Sequence, residues 1–481
     1  MRQSLVRFAF ITLIAVAFLT VFSPTTSPIA PRYGDDAALF RVIGTALADG
    51  QRLYLDVWDH KGPIFFFYQW LGQVIYPGRL GIFILQSILL AAALFCFDSI
   101  AQRFGGIYLR LATGIAILAY LSCVIDGGNL TEEFSLFFLA LPLALLTRGW
   151  GNGSNPAHSH IPHQRDFFIA GIAFGIVVFV RLNNALPIFA VFLAYFLIAL
   201  LRKEKFWRPL CASLLGFSAV VIAVFGFFWA SNSVQEMLDA SFFFNFRYAS
   251  EGDTASEYFA LLNTHYFYLA SIAVASCLTG GIVNAIRTRD NRYAILSMLT
   301  SICTAVAVLA STNGYPHYLQ TAIPSFALGV ILLIGSVQKE GQLVALVCIA
   351  LVSSNIIWTS MLTTRSMTVN EQHLDYYSET REILSHVPEL EQSHIFPWSV
   401  SSKYYLVSGE LPVYRYFTLQ EWWGKADPSI IDETLDHLQS SSPKWILTQN
   451  GGAENVKIAE FLTTHYKINN ENSLFRLYEQ N

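Results

Sequence analysis

Eleven apolar runs, each long enough to cross or nearly cross a lipid bilayer, recur over the first three quarters of the chain. The hydrocarbon core of a bilayer is about 30 Å thick, and each residue of a helix advances about 1.5 Å along the helix axis. A helix therefore needs about 20 apolar residues to span it. The runs are residues 6–23, 80–102, 106–125, 132–147, 167–183, 185–201, 209–230, 265–286, 293–311, 318–336 and 341–360. The pattern predicts an all-α polytopic membrane domain over residues 1–360, with about eleven transmembrane helices.

The composition also indicates lipid, rather than water, as the surroundings of most side chains. Hydrophobic residues make up 54% of the chain and charged residues only 13%. Soluble domains average roughly 25% charged residues. The formal net charge of −4 argues against a nucleic-acid partner, because such partners select a basic surface. The six cysteines form no C-x-x-C pair, so neither a metal knuckle nor a disulfide framework is predicted.

Loop charges predict the orientation of the chain in the membrane. With the N-terminus in the cytoplasm, every cytoplasmic turn carries arginine or lysine, as the positive-inside rule requires. These residues are Arg103; Arg148 and Arg165; Arg202, Lys203, Lys205 and Arg208; Arg287, Arg289 and Arg292; and Lys339. An odd number of spans then places the C-terminus outside. Residues 6–23 are expected to remain as an uncleaved anchor, because no A-x-A site follows them. We expect a multi-pass protein of the plasma (inner) membrane.

The first outer loop, residues 24–79, is predicted to hold two helices that lie along the membrane surface. Residues 62–77 are apolar but short, opened by Pro63 and closed by Pro77, and counting them as a span would invert the charge pattern. Residues 36–49 place apolar side chains on one face and polar side chains on the other.

The composition becomes that of a soluble domain from about residue 361. Strand-like runs are separated by polar helical stretches, which predicts a small extracytoplasmic α/β domain over residues 361–481. The runs are residues 394–400, 444–450 and 474–480, and the helical stretches lie near 371–386, 429–440 and 454–465. The loop 149–166 is predicted to be a flexible cytoplasmic connector. Its histidines, His158, His160 and His163, have no carboxylate or thiol residues grouped with them that could complete a set of metal ligands, so they do not predict a metal site.

Polar residues gather in the loops on the predicted outer side. They are Asp35, Asp36, His60 and Lys61 in the first loop; Asp126, Glu132 and Glu133 in the second; Tyr315, His317 and Tyr318 in a later one; and Arg181 at the outer end of its helix. Each also fits a structural role: a helix cap for the Asp pair, a capping box of Asn129 with Glu132, and interface anchors for the tyrosines and Arg181. Together, carboxylates and cations at one depth indicate a polar site at a membrane face.

Cations in the first outer loop run against the charge rule. They are Arg32, Arg41, Arg52 and Lys61. A phosphate ligand would explain them, because arginine and lysine bind phosphate through charge-assisted hydrogen bonds.

At these loops the sequence resembles the GT-C superfamily of membrane glycosyltransferases. It is similar to the branch that holds protein O-mannosyltransferases and lipid A aminoarabinose transferases. An acidic residue follows the first helix (Asp35 or Asp36), an L-A-x-G segment ends the first surface helix (Leu47 to Gly50), and a D/E-H/K-P element opens the second (His60 to Pro63). The family's second acidic position falls on Glu132 or Glu133, where several members have aspartate. The resemblance covers essentially the whole chain.

The resemblance implies transfer of a sugar from a polyprenyl-phosphate donor to an envelope glycan, lipid or protein. It implies Asp36 or Asp35 as the base, with Glu132 or Glu133 as the second acidic residue. The donor phosphate would bind Lys61, Arg181 and His317. The acceptor or sugar would contact His60, Asp126, Tyr315 and Tyr318. No metal site is predicted, and a divalent cation stays open as a cofactor. The alternatives are a transporter or flippase, and a polymerase of lipid-linked saccharides; the former would place charges at mid-membrane.

Overall fold

The computed structural model describes residues 2–29, 33–150, 162–251, 265–309, 315–369, 372–449 and 453–481. Arg32, His158 and His160 lie outside these ranges. The helices, in chain order, are α1 (Arg2–Phe22), α2 (Asp35–Ala48), α3 (Pro63–Ile75), α4 (Arg79–Phe104), α5 (Ile107–Val124), α6 (Thr131–Leu146), α7 (Gln164–Val178), α8 (Leu186–Leu201), α9 (Trp207–Ala230), α10 (Val234–Leu238), α11 (Phe244–Glu251), α12 (His265–Thr288), α13 (Arg292–Leu309), α14 (Ile323–Gly335), α15 (Lys339–Val369), α16 (Gln372–Leu384), α17 (Lys403–Ser408), α18 (Gln420–Ala426), α19 (Ser429–Ser441) and α20 (Val456–His465).

Within the described residues, nine helical segments are long and apolar enough to cross a membrane. They are Ser4–Phe22, Arg79–Phe104, Ile107–Val124, Leu182–Leu201, Trp207–Ala230, Tyr266–Thr288, Arg292–Leu309, Pro316–Gly335 and Lys339–Ser366. Each coincides with one of the predicted apolar runs. The prediction of a helical, multi-pass membrane protein is confirmed.

Two of the eleven predicted runs form shorter helices. Helix α6 has 16 residues with Pro142 inside it, and α7 has 15 residues and ends at Val178. The predicted run 167–183 therefore stops early, and a short 3-10 helix at Leu182–Ala185 leads into α8. Both helices fall below the roughly 17 residues that a span requires. The count of eleven spans stays a prediction.

Contacts divide the chain into two compact units. Unit 1 comprises Met1–Ser23, Ile84–Phe227 and Asp253–Arg365, and unit 2 comprises Pro24–Phe83, Phe228–Gly252 and Ser366–Asn481. The first loop thus belongs to the same compact unit as the C-terminal residues, which sequence order does not reveal. Hydrogen bonds within unit 2 join Gln51 Nε2 to Pro412 O (3.1 Å), Trp58 N to Arg415 O (3.0 Å) and Lys403 Nζ to Asp35 Oδ1 (2.7 Å).

Helices α2 and α3 pack closely against each other in unit 2. A Cβ atom added at Gly44 of α2 would come 2.8 Å from Cβ of Gln69 on α3, so the close approach requires glycine. The rings of Phe40 and Phe65 meet edge to face at 4.8 Å between centroids. Pro63 begins α3, a position where its missing N–H costs nothing. With 13 residues, α3 is too short to span a bilayer. The placement of α2 and α3 along the outer membrane surface stays a prediction.

The C-terminal residues form a four-stranded sheet in the order β1-β2-β4-β3. Its strands are β1 (Phe396–Trp398), β2 (Trp445–Gln449), β3 (Tyr466–Glu471) and β4 (Phe475–Gln480). β1 runs parallel to β2, whereas β4 runs antiparallel to both β2 and β3. Side chains from the sheet, α19 and α20 share one apolar core that includes Trp398, Leu438, Ile446 and Ile458. The predicted small α/β region is confirmed. The edge strand β3 was missed, because its sequence YKINNE is mostly polar and exposed.

Candidate functional site

The turn between α5 and α6 has an unusual backbone. Asp126, Gly127, Gly128 and Asn129 all have positive φ angles, of 51°, 84°, 80° and 61°. Glycine, asparagine and aspartate adopt this left-handed region most readily, which is why the D-G-G-N sequence folds this way. At Gly128 a side chain is also excluded by space, because an added Cβ would lie 2.0 Å from Oγ of Ser23. The turn fixes the positions of Asp126 before it and of Glu132 and Glu133 after it.

Glu132 and Arg181 form an ion pair in unit 1, with the carboxylate buried and the guanidinium partly buried. The Glu132 side chain is 1% exposed, and its Oε1 accepts a hydrogen bond from Arg181 Nη1 at 2.7 Å. Thr131 Oγ1 donates to the other carboxylate oxygen at 2.9 Å, and Asn184 Nδ2 lies 3.4 Å from Oε1. The Arg181 guanidinium also stacks over the ring of Tyr318, 4.2 Å from its centroid. Arg181 is therefore a cation already paired with a carboxylate.

Glu133 differs from its neighbour in what it contacts. Its carboxylate accepts hydrogen bonds from Gln86 Nε2 at 2.9 Å and from the backbone N–H of Asn129 at 2.7 Å. It thereby ties the D-G-G-N turn to α4. The capping box considered from sequence joined Asn129 to Glu132. In the structure the backbone N–H of Asn129 donates to the carboxylate of Glu133 and not to that of Glu132. The residue that precedes α6 is Leu130, which makes no side-chain cap.

His317 lies beside Asp126 and between two tyrosines. Its Nδ1 is 2.8 Å from Asp126 Oδ2, and because a carboxylate can only accept, Nδ1 carries the proton. The His317 ring stacks on Tyr315, with planes 10° apart, and meets Tyr318 at 4.6 Å between centroids. Asp126, Glu132, Arg181, Tyr315, His317 and Tyr318 are called the Glu132 group below. The sequence predicted all six as site residues, and the structure joins them in unit 1.

Lys61 stands in a second group, within unit 2. Its Nζ is 2.6 Å from His60 Nε2, and its backbone N–H donates to Asp59 Oδ1 at 3.0 Å. His60 Nδ1 lies 3.4 Å from Asp59 Oδ2. Asp59, His60 and Lys61 are called the Lys61 group below. Asp59 was not predicted as a site residue from the sequence. The signal was there, since Asp59 occupies the acidic position of the D/E-H/K-P element.

Asp59 is ionised although it is buried. Its side chain is only 1% exposed. Burial alone would raise the pKa of Asp59, but the positive charges of His60 and Lys61, with hydrogen bonds from both, outweigh that effect and hold its pKa at about 2. A buried anion thus anchors the two basic side chains beside it.

Neighbouring side chains hold the backbone of the Lys61 group. The hydroxyl of the buried Tyr54 donates to Lys61 O at 2.7 Å, and Asn245 Nδ2 donates to His60 O at 2.8 Å. The rings of Phe244 and Trp422 flank the imidazole of His60, at 5.4 and 5.8 Å between centroids. The segment is fixed from several sides, as a preorganised binding residue requires.

Asp35 and Asp36 occupy the first turn of α2 and have different surroundings. Asp35 pairs with Lys403 Nζ at 2.7 Å and accepts from Ser401 Oγ at 3.3 Å, while its side chain is 75% exposed. Asp36 is exposed as well. Both side chains lie in the first turn of α2, at the positive end of the helix dipole, where acidic residues are favourable. Asp35 thus carries a contact to α17 that Asp36, one residue further along the helix, does not share.

The described residues contain no group of three or more His, Cys, Asp and Glu side chains arranged to hold a metal ion. His163 precedes α7 and forms a capping box with Asp166, whose carboxylate accepts from the His163 backbone N–H at 3.0 Å. This histidine therefore has a role in starting a helix.

The fold is similar to that of solved membrane enzymes. Apo ArnT of Cupriavidus metallidurans, a lipid A aminoarabinose transferase, matches with a TM-score of 0.63 at 13% identity, covering 98% of this chain and 97% of that one. ArnT bound to undecaprenyl phosphate gives 0.57 at 11% identity with the same coverage. The apo oligosaccharyltransferase of Archaeoglobus fulgidus gives 0.55 at 12% identity, over 92% of this chain and 69% of that one. The GT-C fold expected from the sequence is confirmed. No family profile and no curated protein matches the sequence.

Proposed function

We propose that this chain is a glycosyltransferase that moves a sugar, a hexose or a pentose, from a polyprenyl-phosphate-linked donor to a cell-envelope glycan, lipid or protein. The supporting observation is the similarity, over 98% of the chain, to a structure of ArnT bound to undecaprenyl phosphate. A lipid-borne donor suits a site on the outer side of the inner membrane, where nucleotide sugars are not available. The N-terminus is then cytoplasmic and the C-terminal domain extracytoplasmic.

Lys61 is proposed to bind the donor phosphate. An ammonium group has three N–H donors, and the hydrogen bond to His60 uses one of them, so two remain for phosphate oxygens. Lys61 also precedes α3 by two residues, and the free N–H groups at a helix start attract anions. In the transition state negative charge grows on the leaving phosphate, and a fixed ammonium stabilises that charge.

Asp36 is proposed to be the base, with Asp35 as the other candidate. The base removes the proton from the acceptor hydroxyl while the hydroxyl oxygen forms a bond to the anomeric carbon of the sugar. The bond from that carbon to the phosphate oxygen breaks, and polyprenyl phosphate leaves with the electron pair. This single displacement inverts the anomeric centre. Asp35 is the weaker candidate, because its carboxylate is already paired with the Lys403 ammonium at 2.7 Å.

The Glu132 group is proposed to bind the sugar or acceptor. Arg181 and Glu132 neutralise each other, so Arg181 is a weaker phosphate ligand than the sequence suggested. Asp126 and His317 offer an acceptor oxygen and a ring nitrogen, and Tyr315 and Tyr318 offer ring faces, which suit sugar hydroxyls and C–H surfaces. Glu133, bonded to Gln86 and Asn129, is proposed to hold the turn rather than to touch substrate.

The test measures transfer by the purified full chain in proteoliposomes that contain a radiolabelled polyprenyl-phosphate sugar. Mass spectrometry of envelope glycans, with and without the gene, identifies the sugar and the acceptor. We expect Lys61→Gln to lose transfer by about a hundredfold or more, as removal of one preorganised charge typically does. The matched control is Arg52→Gln, in the same loop but exposed and paired with Asp56.

Three outcomes contradict the proposal. Movement of intact donor across the membrane without product would identify a flippase. Joining of lipid-linked units to one another would identify a polymerase. Equal loss in Lys61→Gln and Arg52→Gln would show that loop charge, and not a phosphate contact, matters.

A further inference from the structure

A cavity of about 760 Å³ opens between α1, α4 and α5 of unit 1. Most of its wall is apolar, formed by side chains such as Phe10, Ile14, Leu94, Leu111 and Ile115. Its volume lies within the roughly 300–1,000 Å³ typical of small-molecule sites. Gly114 also lines it, and a Cβ added there would meet nothing within 4 Å. The cavity therefore has room beside α5.

One end of the cavity is charged. Asp98 of α4 pairs with Arg7 of α1 at 3.1 Å and with Arg110 of α5 at 2.7 Å. Gln102 accepts a hydrogen bond from Arg7 Nη1 at 2.6 Å. Two guanidinium groups share one carboxylate, so this cluster keeps one net positive charge. Cations with apolar surface beside them are the pattern of a lipid headgroup site.

The charged end lies far from the Glu132 group within unit 1. Arg110 is in the first turn of α5, and the D-G-G-N turn follows the last residue of that helix, Val124. Fourteen residues at about 1.5 Å each separate Arg110 from Val124 by about 21 Å. A lipid with its phosphate at Arg7 and Arg110 therefore lies at the opposite end of these helices from the proposed sugar site.

We propose that this cavity binds an anionic glycerophospholipid, with its phosphate against Arg7 and Arg110 and an acyl chain along α1 and α5. The net positive charge selects an anionic headgroup, and the apolar wall accepts the chain. Arginine suits this role, because a guanidinium has five N–H donors. Arg110 uses two of them on Asp98, at 2.7 and 3.2 Å, and so keeps three for phosphate oxygens. The lipid would fill the gap beside α1 and cover the side chains of Val6 and Phe10, which are largely exposed.

Native mass spectrometry of the full chain tests this proposal, with phosphatidylglycerol and phosphatidylcholine of identical acyl chains added in turn. We expect tighter binding of phosphatidylglycerol to the wild type. Arg110→Gln should weaken it about fivefold, the effect of one cation at a membrane surface. Gly114→Leu should also weaken it, because the new side chain would take up part of the cavity beside α5. The protein should still fold, since a Cβ at this position meets nothing within 4 Å.

Arg202→Gln is the matched control, since Arg202, just after α8, also pairs with an aspartate, Asp290, in the turn between α12 and α13. We expect it to leave the preference unchanged. Equal affinity for both lipids, or an equal loss in Arg202→Gln and Arg110→Gln, would overturn the proposal in favour of unspecific annular lipid. Polyprenyl phosphate is added in a third arm. Displacement of phosphatidylglycerol by polyprenyl phosphate in the wild type, with binding of polyprenyl phosphate weakened in Gly114→Leu, would identify a polyprenyl lipid as the occupant and overturn the assignment.

Discussion

Nζ of Lys61 and Nε2 of His60 lie 2.6 Å apart, so the two basic side chains are in direct contact. The other ring nitrogen of His60, Nδ1, faces Asp59 Oδ2 at 3.4 Å. Asp59 therefore orients His60, and His60 in turn orients the ammonium group proposed to bind phosphate.

The first prediction concerns His60 as a positioning residue. His60→Ala leaves Lys61 without this hydrogen bond, so we expect the KM for the donor to rise about tenfold or more, since a misplaced binding group costs one to two orders of magnitude. His60→Gln keeps an acceptor and should recover much of the loss. Steady-state kinetics separate KM from kcat. Wild-type KM in His60→Ala, or equal effects of the two variants, would refute the role.

The second prediction is a pH dependence. The pKa of Asp59 is about 2 in the folded protein against an ordinary 3.8, so its ionised form stabilises the fold. The contribution, about 2 kcal/mol, is complete above pH 4 and is lost as the pH falls towards 2. Asp59→Asn should therefore be less stable than the wild type at pH 5, and the difference should shrink at lower pH. Thermal unfolding in detergent measures it, and a difference independent of pH would argue against the assignment.

The third prediction separates Asp36 from Asp35. Asp36→Asn removes the proposed base, so transfer should fall by about 100- to 10,000-fold with donor binding retained. Asp35→Asn breaks an exposed pair with Lys403 and should change stability by less than about 1 kcal/mol and transfer only a few-fold. Transfer rates and donor affinity decide the matter. The reverse order would assign the base to Asp35, and full activity in the double variant would exclude both.

The fourth prediction concerns the ion pair of Glu132 and Arg181, whose carboxylate is buried. Glu132→Gln leaves the guanidinium without its counter-charge, which should lower the free energy of unfolding by about 3 kcal/mol. A second change, Arg181→Gln, removes the unpaired charge and should restore part of that loss. A double-mutant cycle measured by thermal unfolding gives the coupling. Additive effects of the two changes would show that the pair does not stabilise the fold.

The fifth prediction tests the turn before α6. Gly128→Ala suffers both a positive φ and the overlap with Ser23, so we expect a loss well beyond the 1–2 kcal/mol or so of backbone strain. Gly50→Ala is the control, because its φ is also positive, at 94°, while an added Cβ there meets nothing within 4 Å. Comparable losses of unfolding free energy in the two variants would mean that space at Gly128 is not limiting.

The sequence by itself determined the features that depend on neighbouring residues. The length of each apolar run predicted the helices of the membrane domain, and the change in composition near residue 361 predicted the small α/β region. Most residues of the candidate site were also found from sequence, because polar groups between apolar runs stand out. The strand Tyr466–Glu471 was missed, since an exposed edge strand has no apolar alternation to reveal it.

Only the tertiary structure decided which of these polar residues work together. Arg181 pairs with Glu132, 49 positions away, and His317 with Asp126, 191 positions away. Spacing along a chain does not encode such pairs, because they follow from how helices pack. Packing also determines that the Asn129 N–H donates to Glu133 rather than to Glu132. It likewise buries Asp59 beside two basic side chains. A long run of apolar residues in a membrane forms a helix, because a helix satisfies its own backbone hydrogen bonds there. A charged side chain, in contrast, pairs with whichever group the fold brings within hydrogen-bond distance.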